Sequence, residues 1–165
     1  MTNWQTLSLG LHLAGLSLWL GGAIFFIVVF GPVVNDLQPG MAIRILNHGR
    51  ISLEAVSWTG ISVLLVTGLV NLILREQASP SGLGQFYIIA LSIKLVLFGA
   101  MVYHQGLQVF KYGARIAAMT AATPEESLSW PEPLRAHWQK WFTLLKINAT
   151  LGPVATIIGL MLLKS

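Results

Sequence analysis

From Leu7 to Val34 the chain carries no Lys, Arg, Asp or Glu, and the first such residue anywhere is Asp36. That run constrains the fold more than any other feature, because about 20 apolar residues suffice to cross the hydrocarbon core of a bilayer. Three further stretches have the required length: roughly Leu53–Leu74, Phe86–Phe110 and Phe142–Leu163. Lipid satisfies no backbone hydrogen bonds, so each is expected to be an α-helix. The expectation is an all-α bundle of four transmembrane helices, forming one membrane domain over residues 1–165. An interfacial segment is expected at 39–52, where "GMAIRILNHGRI" alternates apolar and basic residues. A cytoplasmic loop is expected at 111–141, where prolines interrupt any long helix and tryptophans suit a membrane boundary.

Composition agrees. Of 165 residues, 55% are hydrophobic and only 10% charged, against about 25% charged in soluble domains. Mean hydropathy is +0.70. The net charge of +4 comes from ten thinly spread Lys and Arg residues. They form no cluster of the kind a phosphate backbone needs, so nucleic acid is not an expected partner. The absence of cysteine excludes disulfides, iron–sulfur clusters and zinc–thiolate sites. The N-terminal segment lacks a basic leader and has too long an apolar run for a cleaved signal, so it is expected to be the first membrane helix.

Orientation follows from the basic residues. Arg44, Arg50, Lys111, Arg115, Arg135 and Lys140 fall on one side, and only Arg75 and Lys164 on the other. The richer side is expected to be cytoplasmic. The protein is then a multi-pass protein of the inner (plasma) membrane, with both termini periplasmic.

Ionisable groups inside a span are costly and mark functional sites. Counted from Trp4 and from Phe86–Tyr87, His12 and Lys94 both lie roughly 12 Å below the outer surface at 1.5 Å per residue. His104 lies about 15 Å deeper than Lys94, within reach of His48, Arg50, Glu54, Lys146 or Asn148. One haem cannot join His12 to His104, because two axial nitrogens must lie about 4 Å apart across an iron. Two levels of polar chemistry are therefore expected: His12 with Lys94, and a second around His104.

Simpler roles compete. Lys94 can pair with Glu76 or snorkel, and His12 can hydrogen-bond a neighbouring helix. In "WLGGAIFF", Gly22 and its neighbours beside Trp19 either admit a flat cofactor or let two helices pack. His48 and His137 are expected in solvated loops, and Gly152-Pro153 is expected to kink the fourth helix. No phosphate-binding glycine loop, nucleophile elbow or intramembrane carboxylate pair is present. The methionines form no run that suits copper.

Several of these residues carry a resemblance. "LHLAGLSLWLGGAIFF" resembles the first helix of the CopD-like membrane proteins and of the related HemJ-type protoporphyrinogen IX oxidases. "IKLVLFGAMVYHQG" is similar to the HemJ third helix, with its Lys and Tyr-His ten residues apart. "ILNHGRISLEAVSWTGISVLLVTGLVNLIL" is similar to the second helix and its basic lead-in, and "LLKINATLGPVATIIGLMLL" loosely to the fourth. The likeness spans most of the chain and is specific at His12, Trp19, Lys94 and His104. It implies haem b, with the histidine and lysine roles falling on His12 and Lys94.

Two departures stand out. The family's fourth-helix Asn-Glu-x-Pro is here Asn148-Ala149, and "FGPVV" stands where its first helix ends in Arg and Tyr-His. The resemblance therefore implies a relative that keeps a haem pocket without the catalytic apparatus.

The expected function is haem b binding between helices 1 and 3, with electron transfer to a quinone or a periplasmic partner. His12 and Lys94 are the expected iron ligands, Trp19 and Gly22 the cofactor contacts, and His104 a further metal candidate. Alternatives are a divergent protoporphyrinogen IX oxidase, a copper transporter using His12 and His104, or a structural subunit of a larger respiratory complex or homo-oligomer.

Overall fold

The computed structural model describes residues 3–79 and 82–162, which contain no strand. Four helices account for nearly all of them: α1 Asn3–Asn35, α2 Pro39–Gln77, α3 Gln85–Ala122 and α4 Glu132–Leu162. Each is long and apolar enough to cross a membrane.

The helices outrun the apolar stretches that predicted them. The segment expected to lie at the interface, 39–52, is instead the first part of α2, continuous with its span. It buries Gly40, Ala42, Ile43, Leu46 and Arg50, because its apolar residues recur at helical spacing and meet the bundle. Likewise α3 runs on to Ala122 and α4 begins at Glu132. The loop expected at 111–141 thus shrinks to the turn between Ala122 and Glu132, which holds Pro124 and Pro131. That turn is tied back to α2, with Gly40 N–H donating to Ser127 O at 3.0 Å. The absence of a side chain on Gly40 lets the Glu125 carbonyl lie against the helix.

Two helices widen locally into π turns. In α1 these are Ser17–Gly21 and Phe26–Phe30, and in α3 Leu107–Gly113. The second α1 turn has a covalent cause. Pro32 offers no N–H and its ring crowds the carbonyl four residues earlier, so the preceding turn opens. By contrast α4 runs through Pro153 without a break.

Packing pairs α1 with α2 and α3 with α4. The pairs join mainly at the end that carries the short turn. There Phe26, Ile43, Leu46, Ile116, Leu134, Trp138, Trp141 and Leu145 form the main core. Phe26 lies edge-on to Trp141 at 5.4 Å between ring centroids, and Trp138 edge-on to Trp141 at 5.5 Å. Midway, Trp19 on α1 meets Phe98 on α3 edge-on at 6.0 Å. At the opposite end a smaller cluster of Tyr87, Ala90 and Leu162 closes the α3–α4 pair, with Leu72 of α2 packed against it and Arg75 of α2 over the Tyr87 ring at 5.6 Å.

The outward faces differ from those of a soluble domain, since large apolar side chains are exposed while several amides are buried with the apolar core. On α3, Gln105 is 2% and Gln108 0% exposed, whereas Val96 is 73% exposed. Apolar side chains face outward where lipid costs them nothing, and amides turn inward.

Without a hydrophobic drive between helices in lipid, close backbone approach matters more. A Cβ at Gly60 would stand 2.8 Å from Gly15 O and 3.0 Å from Trp19 Cβ. Gly60→Ala should therefore destabilise the fold by about 1–3 kcal/mol through overpacking. Gly10→Ala, whose Cβ would meet nothing within 4 Å, should not. Thermal unfolding in detergent distinguishes the two.

Candidate functional site

The first level, at the end away from the turn between Ala122 and Glu132, is built on α1 and α2. His12 Nδ1 lies 2.7 Å from Thr67 Oγ1, and Thr67 Oγ1 donates its one hydrogen to Val63 O at 2.6 Å. A hydroxyl that has spent its hydrogen can only accept, so Nδ1 carries the proton of the neutral ring. Nε2 then keeps its lone pair, with no hydrogen-bond partner among the described residues. Metal-ligating histidines are held in this way, one nitrogen anchored so that the other points at the metal.

Lys94 is half-buried on α3, and its Nζ lies 3.0 Å from the position a Cβ would take on Gly159 of α4. The amine has no hydrogen-bond or ion-pair partner among the described residues. The pairing with Glu76 is not formed: the ion pairs among the described residues are Arg44–Glu125 and Arg50–Glu54, both toward the opposite end of the bundle. His12 and Lys94 lie close enough to interact electrostatically, though each packs against its own neighbour. Their levels agree to about one helical turn, since Trp19 and Phe98 touch and His12 and Lys94 lie seven and four residues outward of them.

The other expected cofactor contacts divide. Trp19 is buried against Phe98. Gly22 serves helix packing, since a Cβ there would meet Leu53 Cδ1 of α2 at 3.1 Å. Its neighbour Gly21 has open space and lines a groove of about 470 Å³ between α1 and α4, beside Leu20 and Pro153.

The second level, around His104, is more elaborate than its sequence signal. His104 Nδ1 lies 3.2 Å from Asn148 Oδ1, and Asn148 Nδ2 donates to Met101 O at 3.1 Å. Lys94 and His104 therefore both face α4, against Gly159 and Asn148, eleven residues or about 16 Å apart on that helix. The two levels are distinct, and His104 is no partner for His12. Of the other residues within its predicted reach, Lys146 and His48 are exposed.

Arg50 and Glu54 pair with each other instead. Arg50 Nη1 lies 2.7 Å from both carboxylate oxygens of Glu54, and its Nε and Nη2 donate to Asn47 Oδ1. Trp141 Nε1 donates to Glu54 Oε1 at 3.1 Å, and Gln108 Nε2 donates to Trp141 O at 3.1 Å. Gly113 closes the π turn directly over the pair: a Cβ there would fall 2.6 Å from Arg50 Nη1 and 2.9 Å from Glu54 Oε1. This brace links α2, α3 and α4.

Sequence reasoning missed Gln108 and Trp141 as members of that interior. The available signal was the i, i+3 spacing of Gln105 and Gln108 and the i, i+4 spacing of Arg50 and Glu54.

No group of three or more His, Cys, Asp or Glu side chains able to hold a metal ion occurs among the described residues. The donor set fits haem better than a bare copper ion, because a porphyrin brings four equatorial nitrogens and needs only one or two protein ligands. No family model matches the chain, and neither a curated protein nor a solved structure matches it.

A buried pair broken on one side leaves an uncompensated charge, at about 3–5 kcal/mol. Glu54→Ala should therefore cost roughly that much stability, and the double change Arg50→Met with Glu54→Leu markedly less. Unfolding of both variants in detergent measures the difference.

Proposed function

We propose that this protein binds haem b in the outer half of an inner-membrane bundle and passes electrons, with both termini periplasmic. The observation that carries the reading is the chain His12–Thr67–Val63, which frees His12 Nε2 near the level of Lys94, whose amine has no hydrogen-bond or ion-pair partner among the described residues. Haem iron supplies one-electron redox chemistry when bound, tuned by its axial ligands and their burial.

The chain's own residues do the rest. Thr67 holds the imidazole in one tautomer and one orientation. Lys94 presents an amine that ligates only when unprotonated, in surroundings that exclude water. Trp19 and Phe98 seal the inner side of this level with aromatic surface. The two-ligand requirement favours haem over copper, given the donors on hand. A quinone or a periplasmic protein is the partner suited to a redox group near the outer face.

Membranes expressing the protein in haem-replete cells should yield a purified preparation with a haem b spectrum. His12→Ala should abolish or strongly alter it, and Lys94→Ala should shift the Soret and α bands. Thr67→Val keeps the shape but removes the acceptor, so haem affinity should fall about 10–100-fold while haem still binds. A colourless wild-type preparation overturns the reading.

Topology has its own test. Alkaline phosphatase fused at the C-terminus should be active, and fused in the turn after Ala122 inactive.

A further inference from the structure

We propose that α3 carries a site for an acidic phospholipid, at the membrane boundary on the side of the short turn. A groove of about 690 Å³ runs along the outer face of α3. Gly106 and Ala114 form its floor, Tyr103 and Phe110 its rim, and Lys111 and Arg115 one end. The rim is open to the surroundings: Tyr103 is 66% and Phe110 73% exposed. The proposal is independent of haem binding.

Length and charge select the occupant. From Tyr103 to Arg115 the helix rises roughly 18 Å, about the depth of one leaflet's half of a 30 Å core plus the start of its headgroups. The apolar end faces the membrane interior. The cationic end falls just past the last residue of the apolar run, Phe110, where phosphates lie. An acyl chain suits the first and an anionic headgroup the second.

Neither cation is neutralised by a carboxylate among the described residues. Lys111 Nζ sits 5.5 Å from the Tyr112 ring centroid. Arg115 Nη1 lies 3.5 Å from His137 Nε2. His137 Nδ1 lies 2.7 Å from Pro133 O, a pure acceptor, so Nδ1 carries the hydrogen and Nε2 accepts from Arg115. That contact steadies the guanidinium and leaves its other nitrogens free for a phosphate, which Arg binds through its planar fork. Basic pockets on membrane helices recognise acidic lipids in this manner.

The test counts retained lipid by native mass spectrometry on detergent-purified protein offered dioleoylphosphatidylglycerol or dioleoylphosphatidylcholine. The acidic lipid should be retained on the order of tenfold better. Lys111 and Arg115 are both exposed, so K111Q/R115Q should fold normally and erase the preference. Gly106→Leu fills the groove where a Cβ meets only Phe110 Cδ2, at 4.0 Å. It should lower retention of both lipids while keeping the preference for the acidic one. Equal retention of the two lipids by the wild type overturns the proposal, as does a preference unchanged in K111Q/R115Q. Displacement of the acidic lipid by millimolar inorganic phosphate alone also overturns it, reassigning the cations to a soluble anion.

Discussion

A bilayer accepts apolar side chains without cost and refuses polar ones, and every other property of this fold descends from that refusal. The clearest product is the brace of Arg50, Glu54, Trp141 and Gln108, which gathers three helices around one ion pair. In water such a pair on a helix surface would contribute little. Enclosed here, it acts less as a source of stability than as a specification. Any other register of α2 against α3 and α4 would leave a buried charge without its partner. Gly113 and the π turn that it ends are the local deformation needed to bring α3 that close.

The same constraint divides the bundle into unequal halves. At the end with the short turn, aromatic rings and the polar brace knit all four helices together. At the other end the contacts lie mainly within the pairs α1–α2 and α3–α4. His12 and Lys94 belong to different pairs and stand in this less consolidated half. A redox group with two protein ligands would supply there the cross-linking that Arg50–Glu54 supplies at the other end. On that reading cofactor and ion pair are complementary fastenings, and loss of haem would loosen one half of the bundle while leaving the other intact.

Small residues and hydroxyls do the positioning throughout. Gly15, Gly60 and Gly22 bring α1 onto α2, which is what sets Thr67 opposite His12. Thr67 in turn returns its hydrogen to its own helix, as hydroxyls in membrane helices commonly do, and so becomes an acceptor with a single use. The choice of tautomer at His12 is thus traceable to backbone packing several turns away.

Four helices long and apolar enough to span, their all-α character and the separation of His12 from His104 along the bundle were legible in the chain, because hydropathy and a fixed rise per residue suffice to determine them. The reach of the helices was not. Residues 39–52 and much of 111–141 hold enough charge to read as surface, yet they continue the helices because their apolar members meet the neighbouring ones. Sequence also could not say which side chain would take which partner. Arg50 and Glu54 chose each other over His104, Asn148 took His104, and Thr67 took His12. Those choices depend on helix rotation and pairing, which are settled only when four surfaces pack at once in a medium that leaves polar groups no alternative partner.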